Sequence, residues 1–179
     1  MEENLKKIPI YRENIVVLAS DADEFQHANN TRYVHWMQQV AVAHSAALGW
    51  DADRYLAIGA MWVARRHIID YIRPVYPGET MLAETWIPEM KNVSSVRKYR
   101  FTRVSDSALI AEAETRWGFV SSTTGRPMRV PDELKALFIA NLHLLPEPTS
   151  GAECGDSAAR SGATRPERIE GGAAPSSGG

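Results

Sequence analysis

The sequence predicts an α+β protein, an antiparallel sheet of five to six strands wrapped around one long helix. Three observations lead there. Between residues 30 and 48, apolar side chains fall at 33, 36, 37, 40, 41, 47 and 48, the spacing of a helix with one apolar face. One short β-branched run precedes that helix. Four strand-like segments come after it in succession, separated only by Pro, Gly or short polar breaks.

Each element has a local cause. The first strand lies within residues 8–19, where Ile15-Val16-Val17-Leu18-Ala19 is short and β-branched enough to be buried. Asn29 and Asn30 supply N-cap chemistry for the helix, and Gly49 is its natural C-terminal stop. Residues 60–73 alternate loosely and end in Arg73-Pro74, after which Tyr76-Pro77-Gly78 makes a turn. Segment 79–89 stops at Pro88. Segments 95–104 and 108–121 come next, joined by the polar hairpin connection Ser105-Asp106-Ser107. Thr123-Thr124-Gly125-Arg126-Pro127 closes the last strand. Pro131 then sits in the first turn of a short helix ending near Phe138, where its missing N–H costs nothing.

Composition separates this domain, residues 1–145, from the rest of the chain. Residues 146–179 hold seven of the twelve glycines and four of the ten prolines, and their only large aliphatic side chain is Ile169. Such a segment cannot bury enough apolar surface to offset its ordering entropy, so a disordered C-terminal tail is expected. The tail carries three arginines and five acids, which leaves 17 basic and 17 acidic residues in the domain. The chain's net charge of −2 and pI near 6.2 argue against a nucleic-acid partner. Its single cysteine, Cys154, excludes a disulfide framework and a Cys-rich zinc site. No apolar signal core or bilayer-length run is present, so a soluble, cytoplasmic protein with no membrane partner is expected.

Several chemistries lack their motifs. There is no GxSxG elbow, no Gly-rich phosphate loop and no HExxH helix, and the five histidines form no i,i+4 pair, so neither a metal nor a cofactor is expected. The informative stretch is residues 21–36, from Asp21-Ala22-Asp23 through Gln26-His27-Ala28-Asn29-Asn30-Thr31 to Tyr33 and Trp36. Two acids, a histidine and two asparagines crowd the loop between a strand and a helix start. Read plainly, they are caps and turn formers. Read chemically, free N–H groups and partial positive charge at the helix start can polarise a carbonyl oxygen. A carboxylate about one turn upstream can attack that carbonyl or activate water against it.

This block, D-x-D-x-x-Q-H-x-N-N-x-x-Y before a long helix, resembles the hot-dog-fold thioesterases of the 4-hydroxybenzoyl-CoA thioesterase type. Gln26-His27-Ala28-Asn29-Asn30, with Tyr33 and Trp36, is similar to the corresponding block of plant acyl-ACP thioesterases. Ile69-Asp70-Tyr71-Ile72-Arg73-Pro74, Pro77-Gly78-Glu79 and Thr124-Gly125-Arg126-Pro127 extend the resemblance, in order, over about residues 9–138. It implies hydrolysis of an acyl-CoA or acyl-ACP by a homodimer or homotetramer. It further implies Asp23 as the catalytic acid, His27 as a catalytic partner, and amides near Asn30 and Thr31 as the site that binds the thioester oxygen. Phe25 stands where the acyl-ACP branch has an asparagine, and Gln26 where bacterial members commonly have glycine. Tyr33, Trp36 and Lys91 are the expected substrate contacts. Lys91 is the cation retained where the 4-hydroxybenzoyl-CoA branch meets nucleotide phosphates.

Other residues read structurally. Arg97, Lys98 and Arg100 are equally well a solvated strand face. Asp70 is a sheet residue before it is a second catalytic acid, and Trp36, Met37, Trp62 and Trp117 are core residues before they are an acyl tunnel. A non-catalytic acyl-CoA or lipid-binding hot-dog protein is the alternative, since fold alone fixes no activity. A dehydratase would need a His and Asp pair at a different spacing.

Overall fold

The computed structural model describes residues 10–140. The glycine-rich segment 146–179 and Cys154 lie outside the described residues. Strand β1 (Tyr11–Val16) leads through a 3-10 turn (Ala19–Asp21) into helix α1 (Asn30–Ala47). A six-residue helix α2 (Ala52–Ala57) comes next, then β2 (Ala60–Tyr71), β3 (Thr80–Met90), β4 (Ser94–Arg103), β5 (Leu109–Ser121) and helix α3 (Asp132–Ala140). The five strands form one sheet in the order β1-β3-β4-β5-β2, every neighbouring pair antiparallel.

Helix α1 runs for 18 residues, about 27 Å at the usual rise. Its inward residues Tyr33, Trp36, Met37, Val40, Ala41 and His44 are buried, the stripe that the 3,4 spacing anticipates. They pack on one face of the sheet, where Met81, Ala83, Tyr99, Phe101, Ile110 and Ala111 come from β3, β4 and β5. Alternation in β4 shows the cause. Ser95, Arg97, Tyr99 and Phe101 turn inward, whereas Val96, Lys98, Arg100 and Thr102 turn out. The outer face is tied by cross-strand ion pairs, Arg12 to Glu84 at 2.8 Å and Arg100 to Glu112 at 3.1 Å. A second apolar cluster, Trp50, Tyr55, Ala60, Phe119, Val130, Leu134 and Phe138, closes the end of the domain that holds α2 and α3.

The expected elements are present, with local differences. The first strand ends at Val16, and only Ile15 and Val17 of the apolar run point inward; Val16 and Leu18 are more than half exposed. A strand with one solvated face explains this, where the run alone suggested burial on both sides. Strand β3 passes Pro88 instead of stopping there. The register shifts between Trp86 and Glu89, so the proline sits in a bulge where no ladder N–H is needed. Helix α2 has no counterpart among the elements the sequence predicts; its six residues are too short for a periodic signal. Gly49 adopts φ +75° just past α1, the left-handed C-terminal stop expected of it. No helix among the described residues is long and apolar enough to cross a membrane.

Candidate functional site

The loop between the 3-10 turn and α1 is built by its own acids. Asp21 is buried; its Oδ2 accepts the Leu18 amide at 2.9 Å, and its carbonyl accepts the Asn29 amide at 2.8 Å. Arg32 Nε, in the first turn of α1, stands 2.6 Å from Asp21 Oδ1, an ion contact whose N–H is not aligned as a hydrogen bond. Asp21 therefore fastens both ends of the loop.

Asp23 holds the turn inside that frame. Its Oδ1 accepts the Phe25 amide at 2.9 Å and the His27 amide at 3.3 Å, while its own amide donates to the His27 carbonyl at 2.8 Å. Such an Asx turn anchors one carboxylate oxygen and leaves Oδ2 without a hydrogen-bond donor among the described residues. Gln26 takes φ +63°, the left-handed conformation that glycine enters most easily. The loop thus takes a glycine-like path although glutamine occupies the position. The His27 ring lies edge-on to Tyr76, centroids 5.3 Å apart.

Helix α1 begins three residues later. Asn29 is its N-cap; Oδ1 accepts both the Thr31 amide at 2.9 Å and the Thr31 hydroxyl at 2.8 Å. Of the two amides expected to bind an oxyanion, the Thr31 N–H is thereby occupied. The Asn30 N–H makes no hydrogen bond among the described residues. The structure brings Asp23, His27, Asn30 and Thr31 into one short stretch of chain around the helix start.

The expected substrate contacts lie elsewhere. Tyr33 and Trp36 are buried against each other, and Tyr33 also packs on Tyr71 and Phe101. Burial pushes the Tyr33 hydroxyl up to about 12. Lys91 is exposed, pairs with Glu89 at 3.0 Å, and borders a groove of about 420 Å³ with Arg65 and Arg116. Arg116 pairs with Glu114, whereas Arg65 has no carboxylate within 4.0 Å among the described residues. Asp70 is exposed on β2, opposite Glu112, with no ion partner among the described residues.

A second cavity, about 260 Å³, lies toward the C-terminal half of α1. Gln38, Ala41, Val42 and Ser45 of α1 face it, with Trp62 of β2, Arg97 of β4 and Trp117 of β5 opposite. Two of the four residues considered for an acyl tunnel, Trp62 and Trp117, line it; Trp36 and Met37 are sealed in the main core. Ser95 and Trp117 form a wall common to both cavities, and neither cavity includes Asp23. Arg97 is not on a solvated face. It is 4% exposed, and its Nη1 donates to His44 Nδ1 at 2.9 Å and Thr85 Oγ1 at 3.2 Å. Burial lowers the Arg97 pKa, and burial together with that cation lowers His44 to about 3, so His44 is a neutral acceptor. The strict alternation Ser95, Arg97, Tyr99, Phe101 was the available signal for the inward arginine.

A five-stranded antiparallel sheet around a long helix, entered through an acidic loop, is the architecture of the hot-dog thioesterases. The chain belongs to the thioesterase-like superfamily, whose family model matches residues 17–138, more than half of its length. It is 24% identical over 136 residues to oleoyl-acyl carrier protein thioesterase 2, chloroplastic, of Arabidopsis thaliana; the match covers 72% of this chain and 37% of that protein. The chain thus spans little more than a third of the length of the curated relatives it matches. Among solved structures, it is similar to Slr0204, a 1,4-dihydroxy-2-naphthoyl-CoA thioesterase from Synechocystis, with a TM-score of 0.68 at 12% identity, covering 73% of this chain and 96% of that one. It is also similar to SAV2348 from Staphylococcus aureus, solved in complex with CoA, with a TM-score of 0.71 at 13% identity, covering 82% and 94% respectively. These two likenesses concern the fold.

Proposed function

We propose that the protein hydrolyses an acyl thioester, acyl-CoA or acyl-ACP, to the free acid and thiol. The single observation that carries this is the Asp23 carboxylate, clamped through Oδ1 by two amides with Oδ2 left over, just ahead of a helix start whose Asn30 N–H is free. Two routes use that arrangement. As nucleophile, Asp23 Oδ2 attacks the thioester carbonyl, the thiolate leaves, and water hydrolyses the resulting mixed anhydride. As general base, Asp23 takes a proton from water as it attacks, and that proton ends on the departing sulfur. In either route negative charge grows on the carbonyl oxygen, where the Asn30 amide and the helix dipole stabilise it. The Thr31 amide joins only when its bond to Asn29 opens. His27, held beside Asp23 by its own backbone, orients the substrate or carries the proton to sulfur.

Tyr33 and Trp36 serve the substrate from behind, by fixing the first turns of α1 against the sheet. Lys91, with Arg65 and Arg116, offers the cationic groove on which the carrier's phosphates dock. A homodimer or homotetramer completes the site. Edge strand β2 exposes Ile68 and Tyr71, with Ile72 just beyond it, a surface that pairing with a second copy would cover. One observation favours the second reading, a non-catalytic acyl-binding protein: the two described cavities exclude Asp23. Thiol trapping on a panel of acyl-CoA and acyl-ACP substrates separates the two. Hydrolysis of at least one carrier form supports the enzyme. Tight acyl-CoA binding with no thiol released selects the binding protein.

A further inference from the structure

Arg97 is a full positive charge placed in the core without an anion. Its Nη1 rests on two neutral acceptors, His44 and Thr85, and among the described residues no carboxylate lies within 4.0 Å of it. A buried guanidinium has five N–H donors to place, and burial of an unpaired charge is costly. The same side chain lines the cavity beneath the C-terminal half of α1.

The cavity's other polar side chains, Gln38, Ser45, Ser95 and Tyr55 among them, are neutral. Trp50 Nε1 and Trp117 Nε1 are themselves buried, Trp117 beside Tyr99, so they add no donor to the space. The Tyr55 hydroxyl sits beside Ser45 and Trp62 without an aligned hydrogen bond. Among the described residues no acidic side chain lines the space, and its remaining walls are largely apolar, among them Val42, Leu56, Ile87 and Phe138. One positive charge and largely apolar walls complement one negative charge on an apolar body. Phosphate dianions would find a single cation and a mostly greasy lining. The 260 Å³ volume lies just below the ~300 Å³ at which pockets for drug-sized ligands begin, which suits a small organic acid.

We infer that this cavity binds a monocarboxylate of medium length, its carboxylate on Arg97 and its hydrocarbon against the α1 and α3 walls. This site is separate from the Asp23 loop and stands whether or not that loop hydrolyses thioesters. The carboxylate has two sources, a free organic acid or the distal carboxylate of an acyl group still joined to its carrier.

The test uses the full chain and the emission of Trp50, Trp62 and Trp117, with titration calorimetry as a second readout. Octanoate binds about tenfold or more tightly than octanamide, the share expected of a charge-assisted hydrogen bond. Arg97→Met abolishes that preference and keeps the far-UV circular dichroism. Ser45→Phe fills the cavity and weakens octanoate binding with Arg97 intact, which decides the matter should Arg97→Met fail to fold. Competition then separates the sources. Octanedioyl-CoA displacing octanoate about tenfold better than octanoyl-CoA points to a carboxylate-tipped acyl group. Octanoate binding that neither thioester displaces points to the free acid. Equal affinity for octanoate and octanamide, or no binding of octanoate, overturns the inference. So does a preference that survives Arg97→Met.

Discussion

Asp21→Ala removes the post that fastens the loop to helix α1, and its cost can be worked from three contacts. The lost acceptor for the Leu18 amide is worth ~1 kcal/mol, because that N–H is left without a partner. Taking one member from a fully buried ion pair would cost about 3–5 kcal/mol. Arg32, however, keeps 35% of its side chain in solvent and rehydrates once released. About 1 kcal/mol is therefore the reasonable share of the ion contact. The backbone bond from Asn29 to the Asp21 carbonyl survives any substitution. A total near 2 kcal/mol, divided by a urea slope of about 2 kcal/mol/M, moves the unfolding midpoint down by about 1 M. Asp21→Asn keeps an acceptor for Leu18 and loses only the charge, so it moves the midpoint about half as far. Urea titrations monitored by tryptophan emission measure both. A midpoint for Asp21→Ala within about 0.2 M of the parent, or equal losses for Ala and Asn, would refute this division of roles.

Three further outcomes rest on named contacts. Asn29→Ala removes the cap on Thr31 and lowers stability by ~1 kcal/mol in the same titration; an unchanged midpoint would mean that the cap contributes nothing. Gly49→Ala forces a Cβ into φ +75° and costs ~1 kcal/mol, a strain and not a clash, since the nearest heavy atom is an arginine tip 3.6 Å away. His44 gives a pH dependence whose sign is fixed by its lowered pKa. The folded protein resists protonating it down to about pH 3, whereas the unfolded chain takes the proton near 6.5, so stability falls on acidification between those values. The slope attributable to this group approaches ~1.4 kcal/mol per pH unit at its steepest, and His44→Gln flattens it. Parallel stability curves for the parent and His44→Gln from pH 6.5 to 4 would contradict the assignment.

Much of the architecture was legible because it rests on periodicity. The α1 stripe, its Asn29 cap and its Gly49 stop are local properties, readable residue by residue. So are the alternating strand β4 and the polar break between it and β5. What escaped depends on partners distant in sequence. Pro88 inside β3 is tolerated only because the pairing with β4 shifts there and leaves the proline in a bulge of β3. The one-sided burial of β1 is set by helix α1, which packs against only one face of the sheet. At the site, the cluster of Asp23, His27 and Asn29 was visible as a run of polar residues at a helix start. The division of labour within it was not. That Asp23 Oδ1 anchors the turn, that Asn29 occupies the Thr31 amide and that Gln26 bends like glycine are facts of three-dimensional geometry. Arg97 shows the opposite case: alternation pointed inward, yet charge alone suggested the surface.

Asp23→Asn is the substitution that bears most directly on the proposed chemistry. Asparagine retains a carbonyl oxygen for the Phe25 and His27 amides, so loop and helix start stay as they are while the negative charge is lost. The measurement is single-turnover thiol release from an acyl-CoA or acyl-ACP that the parent protein cleaves. The predicted result is a rate lowered about a thousandfold or more, a loss of ~4 kcal/mol in transition-state stabilisation, with an unchanged urea midpoint. A variant that releases thiol at the parental rate would contradict the assignment of Asp23.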